Sequence, residues 1–209
     1  MVSVSTPTHM LDVGVASTTI AGESKSGDLH LVCPVDDGVV VAVVDGLGHG
    51  QEAAVAARIA VATIERHATA PLPAMVERCH ESLLGSRGVV MSVAQVDANH
   101  DSVTWVGLGN VKGVLVAADH VVGRPYTSLV TRSGIVGNAS AGLPPVRPWV
   151  IPIQRRDVLV LATDGLRAEF GDDVNPADGA QHTAEHLLER HSKGTDDALV
   201  LVARYLGRR

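Results

Sequence analysis

Residues 39–44 are all apolar, and an acid, Asp45, and the glycine-rich stretch GLGHG follow at once. An unbroken apolar run of this length predicts a strand covered on both faces. Alternating apolar positions at 10–20 and 29–35 predict two earlier strands, with the turn-like ESKSGD between them. After the glycines the period lengthens. Ala53, Ala57, Ala60, Val61 and Ile64 recur at three- and four-residue spacing and predict an amphipathic helix over roughly 50–67. Pro71 and Pro73 break it, and Met75, Val76, Cys79, Leu83 and Leu84 predict a second helix that closes at Gly85.

Apolar segments at 89–96, 103–108, 111–117 and 127–131, joined by short links such as ANHDS, predict antiparallel hairpins rather than crossover units. Residues 132–148, SGIVGNASAGLPPVRPW, read as an irregular surface loop, with a substrate-facing flap as the functional alternative. Strands resume at 150–153 and 158–162. Ala180, Ala184, Leu187 and Leu188 mark a late helix, and 198–203 a final strand. Strand blocks separated by helices predict one α+β domain over 1–209, with the helices outside antiparallel sheets.

Hydrophobic residues make up 45% of the 209 positions and charged ones 19%, enough for a core without disulfides or a structural metal. The aromatic residues are Phe170, Trp105, Trp149, Tyr126 and Tyr205, which leaves no base-stacking platform. A formal net charge of −6 also argues against nucleic acid as a partner. Cys33 and Cys79, without CxxC spacing, read as core thiols in a reducing compartment. The opening MVSVSTPTHM is too polar for a signal peptide, and no apolar run approaches a membrane span, so the expected setting is the cytoplasm, without membrane association.

The segment VLVLATDGL at 158–166 repeats the logic of the first acid: an apolar strand, then Asp164, then Gly165 and Leu166. Asp28 opens a strand after Ser26 and Gly27, and Asp196 and Asp197 precede the last one. Acids at four strand ends repel one another if they converge, unless a cation neutralises them. An all-oxygen donor set favours Mg²⁺ or Mn²⁺ over Zn²⁺. A bare Gly46 would let its carbonyl approach such an ion, while Gly48 and Gly50 let the chain turn into the helix. From spacing alone, ordinary Asp-Gly turns explain the same residues equally well.

SGD at 26–28, VVDGLGHG at 43–50, GLGN at 107–110, ATDGL at 162–166 and TDDALVLV at 195–202 together cover most of the chain. In order and approximate spacing they resemble the SpoIIE-type branch of the metal-dependent protein phosphatases, the protein phosphatase 2C family, and within it the small stand-alone stressosome phosphatases. The resemblance implies a four-layer α/β/β/α sandwich of two antiparallel sheets flanked by helix pairs. It implies two Mn²⁺ or Mg²⁺ ions, with a third as an option, and hydrolysis of phosphoserine or phosphothreonine without a covalent phosphoenzyme. The implied substrates are phosphorylated STAS-domain regulatory proteins, and the implied state is a monomer. Asp45 would bridge the metals, Gly46 would bind through its carbonyl, and Asp164 and Asp196 would complete the set. Asp28 would hold an outer metal or its waters, with Asp197 and Asn110 behind the ligands.

The sequence departs from the family pattern in three places. Leu47 stands where animal enzymes carry a histidine after Asp-Gly. His49 is then the candidate general acid, with packing or capping at the helix start as its alternative. The phosphate-gripping arginine near the N-terminus is missing, which leaves Lys25, and Leu199 replaces the threonine of the terminal Asp-Asp-x-Thr. These departures keep a catalytically silent phosphoprotein binder as the rival reading, beside a hydrolase of small phosphoesters.

Other motifs carry less. GLGHG lacks the third glycine of a dinucleotide loop, because position 51 is Gln51. HTAEH at 182–186 matches an inverted zinc-peptidase pattern, but its helix already has a core face and the segment offers no clear third ligand, so a solvated face is the expectation. Arg155 and Arg156 read as an exposed turn, with docking of an acidic partner as the alternative.

Overall fold

The computed structural model describes residues 10–119 and 126–208. The opening segment 1–9 lies outside them. Among the described residues, ten strands form two five-stranded antiparallel sheets. The first runs in the order β1 (Leu11–Thr18), β10 (Ala198–Tyr205), β9 (Val158–Ala162), β6 (Lys112–Val116) and β7 (Thr127–Leu129). The second runs β2 (Asp28–Val35), β3 (Gly38–Gly46), β4 (Val89–Asp97), β5 (Ser102–Leu108) and β8 (Trp149–Pro152).

The unbroken apolar run lies in β3, inside the second sheet, and is covered on both faces. Val39, Val41 and Val43, with Trp105 of the same sheet, meet Leu11, Leu161 and Leu201 of the opposite sheet in one core. Val40, Ala42 and Val44 point the other way, onto α1 (Gly50–Arg66) and α2 (Leu72–Leu83). Each buried valine of this kind contributes about 1.5–3 kcal/mol. On the far face of the first sheet, Val160, Val200 and Val202 pack with Phe170, of a short 3₁₀ helix (Ala168–Asp173), and with Leu187 of α3 (Ala180–His191). The result is the four-layer sandwich that the resemblance implies. Its second outer layer, however, is α3 with the 3₁₀ helix rather than a pair of full helices.

Two further expectations change. The links after residue 96 do not all make hairpins: β4 and β5 pair, but β6 belongs to the other sheet, beside β9 and β7. The short GLGN segment therefore carries the chain from one sheet to the other. Helix α2 also starts earlier than its apolar period shows. Pro71 is its N-cap and Pro73 lies in its first turn, where a missing N–H costs nothing.

Cys79 is buried among the helices, and burial pushes its thiol up to about 12, as an inert core group requires. Cys33 is only half-buried at the edge of that core. His182 and His186 stack on the exposed side of α3, with ring centroids 6.5 Å apart. Arg155 and Arg156 occupy an exposed turn. No helix among the described residues is long and apolar enough to cross a membrane.

Candidate active site

Strand ends from both sheets meet at one edge of the sandwich. β3 delivers Asp45 from the second sheet. In the first sheet, β9 ends two residues before Asp164, and Asp196 stands two residues before β10. These acids line a cleft of about 550 Å³, with Asn110 and His49 on its walls. The 132–148 loop supplies Ser133, Gly134 and Ile135 to the same cleft. A backbone bridge between Val89 and Val136 ties it down, so this irregular segment is a wall of the site.

Asp28 and Asp197 lie behind this lining and are held by the protein itself. Asp197 Oδ1 accepts from the Ile20 N–H at 2.9 Å and Oδ2 from the Gly27 N–H at 2.7 Å, which ties the SGD turn to the start of β10. Asp28 sits directly across from Asp45 in the β2–β3 register and is buried. The Thr163 hydroxyl donates to Asp28 Oδ2 at 2.7 Å and accepts from the Leu199 N–H at 2.9 Å. A hydroxyl thus serves position 199 from the neighbouring strand end, although the side chain there is leucine. Leu199 itself is buried between the sheets.

The electrostatics of the cluster are unbalanced. Burial, and then the charges of Asp164, Asp196 and Asp197, raise the Asp45 carboxyl to about 7. Asp28 is pushed well above the usual carboxylate range, first by burial and then by Asp45, against the lowering effect of its bond from Thr163. Among the described residues lining the cleft, His49 is the only basic one. Among the described residues, no three His, Cys, Asp or Glu side chains stand ready-set as a metal cage. The donors nevertheless fit hard divalent cations. They are all oxygen, they crowd one cleft, and among the described residues no Lys, Arg or His forms an ion pair with their carboxylates.

Asp45, Asp164, Asp196, Asn110 and His49 are thus brought to one cleft. Asn110 Nδ2 donates to Asp164 Oδ2 at 2.6 Å. Gly46 is buried just outside the lining, and a Cβ there would come within 2.2 Å of the Ala53 carbonyl oxygen. The close approach of α1 therefore demands this glycine whatever its carbonyl does. Gly48 and Gly50 have φ of +86° and +74°, as the sharp turn into α1 requires. Lys25 is not brought to the cleft lining; its Nζ donates to Gln51 Oε1 at 2.6 Å.

Several neighbours have no sequence signal. Lys193 Nζ donates to the Asp164 carbonyl oxygen at 2.5 Å. Arg87, paired with Glu52 at 2.5 Å, lays its guanidinium against Gly48 at the rim. Glu23 meets His49 at 2.6 Å. Only their chemistry at the folded edge identifies them, because each comes from an irregular segment with no pattern of its own.

A family model, Stage II sporulation protein E (SpoIIE), matches residues 35–206. The chain belongs to the SpoIIE family. The phosphoserine phosphatase RsbX of Bacillus subtilis (strain 168) is 28% identical over 94 residues, 45% of this chain and 47% of RsbX, so the match spans about half of that relative. A chain solved in work on the bacterial stressosome, as a modular system adapted to control secondary messenger signaling, is 28% identical. That alignment covers 93% of this chain and 99% of the other, with a TM-score of 0.82. The crystal structure of RsbX in complex with magnesium has a TM-score of 0.85 over 98% of this chain and 100% of its own; at 18% identity this is a likeness of fold. All five motifs except SGD lie inside the SpoIIE match.

Proposed function

We propose that this chain is a Mn²⁺- or Mg²⁺-dependent protein serine/threonine phosphatase, acting on phosphorylated STAS-domain regulators of a stressosome or partner-switching pathway. The observation that carries the proposal is the convergence of Asp45, Asp164 and Asp196 on one cleft, with no ion pair to any of their carboxylates among the described residues. The likeness to RsbX, a phosphoserine phosphatase whose fold has been seen with magnesium, supports the same reading. We place the protein in the cytoplasm, acting as a monomer.

Asp45, Asp164 and Asp196 would hold two ions, with Gly46 through its carbonyl and Asp28 behind Asp45. When bound, such ions supply an activated water and neutralise phosphoryl oxygens. The chain's own work is to keep these groups in place. Asn110 fixes one oxygen of Asp164, and Thr163 fixes one oxygen of Asp28. Asp197 anchors the turn that leads into β2. Ser133, Gly134 and Ile135 form one wall of the cleft.

Hydrolysis of p-nitrophenyl phosphate, with Mn²⁺ and with EDTA, tests the activity. The expected result is metal-dependent turnover that Asp45→Asn abolishes. Turnover that survives both EDTA and Asp45→Asn overturns the proposal. Absence of turnover in a folded, Mn²⁺-binding protein supports the silent binder instead. A phosphorylated STAS-domain protein, compared with small phosphoesters by kcat/KM, tests the substrate class, and preference for the small esters refutes it.

A further inference from the structure

His49 occupies the N-cap position of α1 with extended backbone, φ −136° and ψ 168°, yet its side chain makes no capping hydrogen bond. Instead Nδ1 lies 2.6 Å from Glu23 Oε1, so with a carboxylate as partner Nδ1 is the donor. The ring lines the same cleft as Asp45, Asp164 and Asp196, and its side chain is 62% exposed, within reach of a protein substrate. Gly50 makes room for the arrangement, because a Cβ there would fall 2.8–3.1 Å from the Glu23 carboxyl atoms. A cleft-lining histidine fixed on one nitrogen by a carboxylate, with no hydrogen bond to its other nitrogen among the described residues, is the arrangement of a proton-transfer group.

We infer that Glu23 and His49 form a proton-delivery pair for the phosphatase reaction proposed above, on which the inference rests. Glu23 is the positioning residue, and His49 Nε2 is the donor to the leaving oxygen. As a water oxygen bonds to phosphorus, the P–O ester bond breaks and its electron pair goes to the seryl or threonyl oxygen. That oxygen takes the Nε2 proton and leaves as the alcohol. The attacking water releases one proton to solvent, and the neutral imidazole regains one from solvent, so protons balance over the cycle. Glu23 holds Nδ1–H throughout and keeps the ring turned to the cleft.

Leaving-group dependence tests the pair. The enzyme, with Mn²⁺, is assayed on substituted phenyl phosphates running from p-nitrophenyl phosphate to phenyl phosphate and on to an alkyl phosphate. A leaving oxygen that receives a proton in the transition state depends little on its own basicity, so the wild-type rates vary weakly along the series. His49→Gln lowers kcat by about 10²-fold or more for the most basic leaving groups and far less for p-nitrophenyl phosphate. Glu23→Gln shifts the series in the same sense by less, and the double variant is no worse than His49→Gln alone.

Long-range ¹H–¹⁵N spectra of the metal-free protein at alkaline pH supply a readout apart from activity. They place the ring proton on Nδ1 in the wild type, and move it to Nε2 in Glu23→Ala, which leaves Nδ1 no acceptor at position 23. Equal losses along the whole series, no loss at all, or an unchanged tautomer in Glu23→Ala overturns the pair. A wild type inactive on every ester overturns the phosphatase reading instead.

Discussion

Replacing Asp45 by asparagine removes a charge and no hydrogen bond, because among the described residues nothing donates to its carboxylate. In the metal-free protein that charge is unfavourable. Its carboxyl titrates at about 7 rather than at its ordinary 3.8, through burial first and then through Asp164, Asp196 and Asp197. In the unfolded chain the proton leaves near the ordinary value. Between the two pKa values the folded state therefore binds more protons, and stability falls as pH rises through this window, levelling off above about pH 7. At 1.36 kcal/mol per pH unit, the full loss is on the order of 4 kcal/mol, of which roughly 2–3 kcal/mol falls between pH 5 and pH 8. For a chain of this size that part corresponds to roughly 4–12 °C in Tm. Thermal unfolding followed by circular dichroism in EDTA, at pH 5 and pH 8, reads it directly. Wild type loses stability between these pH values, Asp45→Asn loses much less, and the variant is the more stable protein at pH 8. Added Mn²⁺ raises the wild-type Tm and leaves that of Asp45→Asn nearly unchanged. An Asp45→Asn protein that is less stable than wild type at pH 8 in EDTA refutes the reasoning.

The same carboxyl makes metal binding release a proton below about pH 7, so Mn²⁺ affinity measured by calorimetry rises about tenfold from pH 6 to pH 8. An affinity flat across that range removes Asp45 from the ligand set. Asn110→Ala, which frees one oxygen of Asp164, leaves urea unfolding within about 0.5 kcal/mol of wild type. It lowers Mn²⁺ affinity or turnover by about 10–100-fold. Thr163→Val strands the buried Asp28 carboxyl and the Leu199 N–H, and costs about 1–3 kcal/mol in urea unfolding. Thr163→Ser, which keeps the hydroxyl, recovers most of that loss.

Sequence periodicity located the strands but not their partners. The run at 39–44 could be read as doubly covered because no polar residue interrupts it, and β3 is indeed buried on both faces. The hairpin reading failed at β5 and β6 because alternation says which residues face a core, not which of two sheets a strand joins. Asp45, Asp164 and Asp196 were visible because each follows or precedes an apolar strand beside a small, turn-forming residue. Glu23 was not visible: its turn carries no period, and its partner His49 lies 26 residues further on. Thr163 escaped for another reason. A threonine between an apolar strand and an acid is ordinary, and its two hydrogen bonds exist only once β2 and β10 stand beside β9.

The acids at this edge fall into two kinds, and the difference separates folding from chemistry. Asp197 is answered inside the protein by two backbone N–H groups, and Asp28 by a hydroxyl. Asp45 is answered by no hydrogen-bond donor or ion pair among the described residues and lines the cleft. Asp197→Ala therefore strands the Ile20 and Gly27 N–H groups and costs about 3 kcal/mol or more, since hydrogen bonds to a charged acceptor are among the stronger ones. Asp45→Asn shifts stability in the opposite sense while it removes the response to metal. If urea unfolding in EDTA at pH 8 moved both variants the same way, the division between an anchoring acid and a cation-seeking acid would fail, and with it the reason for assigning Asp45 to the centre of the site.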